Sequence, residues 1–578
     1  MDRHSRTGRL ARRATPVMLA MLAVIASASR AAAHAGGVRS ATRETVTVPT
    51  WLFLGTGGAV VGASFLLASA VTDRAFIRQI DTWGRALPDA GRVARLLARA
   101  VGIAGLAITV VAGVFGPETA GDSAAVLIVW VGWWAVFVLS SYLLGNAWPA
   151  VDPFRAVAGA LPSLDRSYPE RLGSWPATVG LLALVYLEVV TPMADDPRLL
   201  TGLVVGYLTV SVAGSVAFGV DDWFGTADPV SRLLAAYGRV APVARTDEGL
   251  RLRIPGMGLT DAAWVDGRDD VGFVVAIVFV TTYDGFVGTA AWADIARPLV
   301  EAGVPALLVY LAAMLVGYAL FLALYLASAR AARRTADTYL APGVLARRFA
   351  PSLLAIAAGY HLAHNLATAL SLSPTLAVVL TSPLSPPSSL PVLLVPGWVG
   401  GVGVAAVLAG HLLAVWVAHS AAYDLFPDRL QAVRSQYGVT VAMVAYTMAS
   451  LWIVSRPGGA PLRMRGENGA GGDAGTDEVR RLDTATTTDA RDPIADRYEV
   501  PPEATAFACP RCGRPFARER HRDLHLGQDH GDLGPDERAA YEAARDGETD
   551  NLRRFRIVSL GLLVLLYFGF LLLYAVAG

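Results

Sequence analysis

Four histidines fall within two consecutive apolar segments: His361 and His364 on one, His411 and His419 on the next. An ionisable side chain in hydrocarbon is costly and is kept where it has a partner or a task. Counting about 1.5 Å of rise per residue from the arginine-flanked end of each segment puts His361 at about 18 Å, His364 at about 22 Å and His411 at about 17 Å. Residues three apart share a helix face, so His361 and His364 can turn toward one ion while His411 approaches from the neighbouring helix. His419 lies about 12 Å nearer the arginine-rich side and suits access or relay. Two carboxylates fall at similar depth on other segments, Glu188 at about 16 Å and Asp284 at about 18 Å. Imidazoles with a carboxylate can hold Zn, Cu, Fe or Ni with one position open, and the metal can then polarise a substrate or ionise a water, with Glu188 or Asp284 as ligand or base. His361 facing His411 is the arrangement that bis-histidine haem ligation requires. A relay through His419, His411 and Asp284 moves protons with no metal. The plainest alternative is that each ring bonds a carbonyl or hydroxyl across a helix interface.

A second ligand set lies near the C-terminus. Cys509 and Cys512, then twelve residues, His525, four residues and His530 give Cys-x2-Cys-x12-His-x4-His. This resembles the spacing of the two-Cys two-His zinc finger, in which two thiolates and two imidazoles close a tetrahedral zinc site. Phe516 matches that motif's aromatic core position, whereas Arg522 stands where leucine is usual, which weakens the miniature core. One finger offers few phosphate contacts, so nucleic acid is not the expected partner. A protein partner or a redox-sensitive role fits the tail better, and a metal-stapled knob is the simplest alternative.

The elements that carry these residues are apolar helices. Of 578 residues, 54% are hydrophobic and 17% charged, a composition that places the chain among membrane proteins. Lysine is absent, so all 49 basic residues are arginine and Schiff-base lysine chemistry is excluded. Two cysteines make no disulfide framework. There is no glycine-rich phosphate loop followed by lysine and no nucleophile elbow, which argues against an ATP-driven pump and a serine hydrolase.

The expected fold is an all-α, polytopic transmembrane bundle in the cell membrane, its main partner the lipid bilayer. Residues 1–33 read as an export signal or first helix, with His34 exposed if cleavage follows Ala33, where it could bind copper. The polytopic domain covers 34–455, with ten core spans expected at 51–71, 100–116, 123–145, 177–193, 199–219, 272–292, 303–327, 349–371, 399–422 and 437–455. A disordered linker is expected at 456–504, a zinc-finger-like tail with a helix at 505–552, and a last span at 557–577. Arginines crowd the loops 72–99 and 328–348 and should lie in the cytoplasm. Ten spans beginning outside return the chain outside at Ser455, yet Arg553, Arg554 and Arg556 place the tail inside, and the two rules conflict. Within 220–271, Gly-Leu-Arg-Leu-Arg-Ile-Pro alternates like a short strand of a small cap.

The stretches Leu-Leu-Gly-Asn-Ala-Trp-Pro-Ala-Val-Asp-Pro-Phe-Arg-Ala (143–156), Tyr-Pro-Glu-Arg-Leu-Gly-Ser-Trp-Pro-Ala (168–177), Thr-Thr-Tyr-Asp-Gly (281–285), Tyr-His-Leu-Ala-His-Asn (360–365) and Gly-His-Leu-Leu-Ala-Val (410–415) resemble, over about residues 40–455, a prokaryotic multi-span family labelled fenitrothion hydrolase-like. The resemblance implies organophosphate ester hydrolysis, with Asp284, His361, His364 and His411 at positions of the family pattern. Three functions follow as expectations: a metal-dependent membrane hydrolase, a metal-ion or proton transporter, and a non-catalytic scaffold whose finger docks a partner.

Overall fold

A computed structural model describes residues 50–88, 91–164, 166–247, 249–454 and 497–577. The export segment, His34 and most of the expected linker lie outside these. The described chain is mainly helical, and each of the ten segments expected as spans coincides with a helix. Among the described residues, seven helices are long and apolar enough to cross a membrane, as a membrane protein requires: Gly91–Phe115, Ala124–Leu143, Pro197–Phe218, Arg268–Val287, Ala306–Thr335, Pro342–Val379 and Trp398–Leu425.

We label the helices used below α1 (Thr50–Ala68), α2 (Arg74–Thr82), α3 (Gly91–Phe115), α4 (Ala124–Leu143), α5 (Trp175–Val190), α6 (Pro197–Phe218), α7 (Pro229–Gly238), α8 (Arg268–Val287), α9 (Ala290–Glu301), α10 (Ala306–Thr335), α11 (Pro342–Val379), α12 (Trp398–Leu425), α13 (Arg429–Ser435) and α14 (Tyr437–Val454). Aspartate and proline set two starts. Asp196 before Pro197 and Asp228 before Pro229 accept backbone N–H bonds from the first turns of α6 and α7, while the proline occupies a position whose N–H would be unpaired anyway. Helix α8 is apolar on all sides and buried without a break from Asp270 to Val280, as a helix at the centre of a bundle must be. Helices α5, α10, α11 and α14 pack around it.

Helix α4 departs from regular geometry: Ile128–Phe137 forms a π-helix. The wider turn shifts the phase of its tryptophans and brings Trp134 edge-on to His361, ring centroids 4.9 Å apart.

Helices α11 and α12 meet along a seam of small residues. A Cβ built on Gly359 would lie 2.5 Å from the Ala406 carbonyl oxygen, and one on Gly410 would lie 2.5 Å from that of Ala355. Only glycine allows backbones this close.

A small cap sits at the arginine-rich end. Strands β1 (Gly84–Leu87), β2 (Val243–Thr246) and β3 (Gly249–Arg253) form an antiparallel sheet in the order β1-β3-β2. Leu87 pairs with Leu250 and Val243 with Leu252. The strand read in the 220–271 connection is therefore present, joined by a partner from the 72–99 loop.

The tail folds as strands β4 (Phe507–Ala508) and β5 (Pro515–Phe516) followed by α15 (Glu519–Asp529). The helix and the last expected span are one continuous helix, α16 (Pro535–Ala577). The end of the expected linker is docked: Ala341 N–H donates to Arg497 O at 3.0 Å and Glu499 N–H to Tyr339 O at 2.8 Å. At these positions the backbone groups pair with the 336–341 loop that follows α10.

The tail as far as Arg556 lies at the arginine-rich end. Arg556 donates to Thr72 Oγ1 and Glu548 pairs with Arg429. Helix α14 runs antiparallel to α1, with Tyr437 beside Phe65 and Leu451 on Gly57. Val454 therefore ends at the opposite end, where Trp452 meets Phe286. The tail sits with the arginines, as its own arginines require, and away from the end at which α14 leaves the bundle.

Candidate metal centre

The hairpin β4–β5 presents Cys509 and Cys512, and α15 presents His525, with His530 at its C-terminal end. Gly513 makes the turn between the strands, with φ of +72°, and its N–H donates to Cys509 O at 2.9 Å. The left-handed conformation favours glycine. One ligand atom from each of the four residues lies within 4.8 Å of all the others. Cys509 Sγ is 3.5 Å from His530 Nε2, and Cys512 Sγ is 3.3 Å from His525 Nε2. Tetrahedral zinc with Zn–S of about 2.3 Å and Zn–N of about 2.0–2.1 Å separates S and N by about 3.5 Å, so the four groups fit an ion at their centre.

Nδ1–H of His525 donates to Asp529 Oδ2 at 2.6 Å. This contact orients the ring so that Nε2 faces the ion, and a carboxylate behind a ligating imidazole raises its basicity. The miniature core consists of Cys509, Phe516 and Leu526, with Phe507 and Leu533 against it. Leu526 supplies the apolar contact expected from position 522. Arg522 instead turns outward to Asp523 and Glu519.

The finger is bound to the bundle through its own polar side chains. Arg514 donates to Leu425 O at 2.6 Å and Gln528 Nε2 to Pro427 O at 3.0 Å. Arg518 pairs with Asp337, and Arg520 with Asp428 at 2.9 Å. His521 Nε2 lies 3.5 Å from the same Asp428 oxygen. Burial alone would raise the Asp428 carboxyl, but the His521 ring, the Arg520 charge and the Gln431 N–H hold it down at about 2.

The membrane histidines are placed differently from the expectation, and the shared three-imidazole centre is corrected. Among the described residues, the tail is the only group of three or more His, Cys, Asp or Glu with converging ligand atoms. The seam gives the reason. Gly359 faces α12, and His361, two residues on at about 100° per residue, points to the far side, among Trp134, Tyr142 and Tyr237. Its Nδ1 is 2.9 Å from Tyr142 Oη, and its Nε2 is buried without a partner.

His411 has both nitrogens engaged, Nδ1 with Val407 O at 2.8 Å and Nε2 with Thr447 Oγ1 at 2.5 Å. His419 likewise contacts Val71 O at 2.8 Å and Gln436 Nε2 at 3.2 Å. Both rings tie helices together, and the paired haem ligation of His361 and His411 goes with the shared centre.

His364 lies within electrostatic reach of one of the carboxylates, Asp284. Glu188 and Asp284 interact electrostatically with each other, and Asp284 with His364. Tyr360 stacks on His364 with centroids 6.2 Å apart, its hydroxyl against Gly285. Glu188 and Asp284 stand within the last turn of α5 and α8, so this cluster lies nearer the end away from the arginines than the middle of the bundle.

One buried network escaped the sequence reading. Asp152 and Asp228 are both buried caps, linked through Ser231, whose hydroxyl is 3.4 Å from Asp152 Oδ2 and whose N–H donates to Asp228 Oδ1 at 2.7 Å. Tyr207 donates to Asp228 at 2.5 Å. Burial, with the Asp228 charge beside it, pushes the Asp152 carboxyl up to about 7. The repeated Asp-Pro dipeptide was the available signal, and it reports the caps without their proximity.

Residues 509–530 match a domain of unknown function, DUF7410. The match begins at Cys509 and ends at His530, so the outer ligands bound it. No curated protein and no solved structure matches the chain.

Proposed function

We propose that this chain is a multi-pass cell-membrane protein with ten core spans and an eleventh at the C-terminus, whose tail binds zinc through Cys509, Cys512, His525 and His530 and serves as a docking module. The observation that carries this reading is the convergence of four soft and borderline donors at tetrahedral spacing, with Asp529 behind His525. Thiolates with imidazoles select zinc over hard cations. The test is elemental analysis of the purified full chain. One zinc per chain, lost in Cys509→Ser with Cys512→Ser and kept in His361→Ala and His411→Ala, supports the reading, and equal metal content in all four proteins overturns it.

A second reading concerns the membrane domain. The neighbouring Glu188, Asp284 and His364 favour proton or cation handling over the metal-dependent hydrolysis that the fenitrothion hydrolase-like resemblance implies, because carboxylates beside an imidazole within a bundle form a relay without a metal. Proteoliposome proton flux abolished by Glu188→Gln and Asp284→Asn supports it, and flux equal to wild type in both sinks it.

A further inference from the structure

We infer that metal occupancy of the finger operates a latch on the α12–α14 corner, so that the ion controls the order of residues 425–436. This rests on the zinc-binding reading of the tail. The side chains that dock the finger itself, Arg514, Arg518, Arg520 and Gln528, all lie inside the ligand loop, whereas Glu548, on α16 beyond it, holds Arg429 independently of the ion. The module between the outer ligands has a core of three buried residues. A core this small does not hold a fold without its ion, and for such modules the binding energy of the metal is the folding energy. Loss of the ion therefore scatters Arg514, Arg518, Arg520 and Gln528 together.

The other half of the latch is the corner itself. Helix α12 ends with its negative dipole end at Leu425, Phe426 and Pro427, whose carbonyls have no intrahelical donors. Arg74 of α2 reaches Pro427 O at 2.9 Å from one side, and Arg514 and Gln528 reach Leu425 O and Pro427 O from the other. Asp428 at the start of α13 is buried and holds Arg520 while it caps Leu430 and Gln431. With the finger gone, Arg74 and Glu548 remain on this corner, but its finger-side clamp is lost and a buried carboxylate loses its arginine. Helix α12 continues from the corner to Ser420, which donates to Asp81, and to His419, so the latch holds the end of the helix that carries two of the membrane histidines. Coupling is reciprocal: what weakens docking also weakens metal affinity.

The test is hydrogen exchange on the full chain in micelles, zinc-loaded, chelated, and reloaded with zinc chloride, with zinc measured in each state. The expected result is exchange about tenfold faster or more across 425–436 and 333–341 after chelation, reversed by zinc. The variant Arg520→Gln with Gln528→Ala leaves all four ligands intact and is expected to show the same faster exchange at 425–436 while it keeps one zinc per chain. Removal of zinc without change at 425–436 overturns the latch and leaves the zinc site standing. A chain that never holds zinc overturns both.

Discussion

Asp428 anchors the docked finger through Arg520, and Asp428→Asn isolates its charge. The side chain is 1% exposed. It accepts N–H bonds from Leu430 at 2.8 Å and Gln431 at 3.0 Å and faces Arg520 and His521. Burial raises its carboxyl, yet its partners bring it to about 2 from the ordinary 3.8. That difference corresponds to about 2 kcal/mol of stabilisation of the charged form. Arg520 is about a third exposed, so solvent screening makes this an upper figure. Asparagine keeps the capping oxygen and loses the charge. Asp428→Ala loses the cap as well, worth about 1 kcal/mol more.

For Asp428→Asn the docked-to-open equilibrium of the finger should shift by up to about 30-fold, and further for alanine. Trypsin cleavage at Arg518 and Arg520 in zinc-loaded protein reads the open fraction when reclosing is fast. Because the folded value is depressed, the contribution is complete above the ordinary carboxylate range and is lost as pH falls through about 2. The variants should therefore differ from wild type equally at pH 6 and pH 8. Cleavage of Asp428→Asn at the wild-type rate would refute the reasoning.

Three further substitutions probe the bundle. Asp152 has the opposite sign, since its folded value of about 7 lies above the unfolded one, so wild-type stability falls as pH rises from about 4 to about 7 by at most about 4 kcal/mol. Asp152→Asn should flatten thermal unfolding temperatures over that window, and parallel profiles would count against the buried-carboxylate assignment. Gly359→Ala should destabilise by about 2 kcal/mol because its methyl meets the Ala406 carbonyl, whereas Gly62→Ala in α1 meets nothing within 4 Å and should be neutral or better. Equal unfolding temperatures for the two variants would remove the seam as the reason the histidines diverge.

What was legible in the sequence follows from local physics. Apolar runs of span length made all ten segments helical, and the Cys-x2-Cys-x12-His-x4-His spacing located a ligand set whose geometry the hairpin and helix then close. The alternation at 249–253 gave a strand because its pattern lies within five residues. Depth along a helix was also accessible, but rotation about its axis was not. Gly359 and Gly410 meet across the α11–α12 seam, while the rings of His361 and His411 turn to different neighbours. The π-helix at 128–137 likewise changes phase without a residue signature. The contacts of Arg514, Arg518 and Arg520 with the bundle join positions far apart in the chain, and nothing in their local sequence announces the carbonyls and carboxylates they meet. Arg522 reads as a defect in the finger core, and Leu526, one helical turn later, fills that core instead.

Zinc-edge X-ray absorption on the purified full chain tests the central assignment most directly. The four donors of the tail are expected to give a shell of two sulfurs at about 2.3 Å and two nitrogens at about 2.0–2.1 Å. A shell of nitrogen and oxygen alone would place the metal elsewhere and contradict the account.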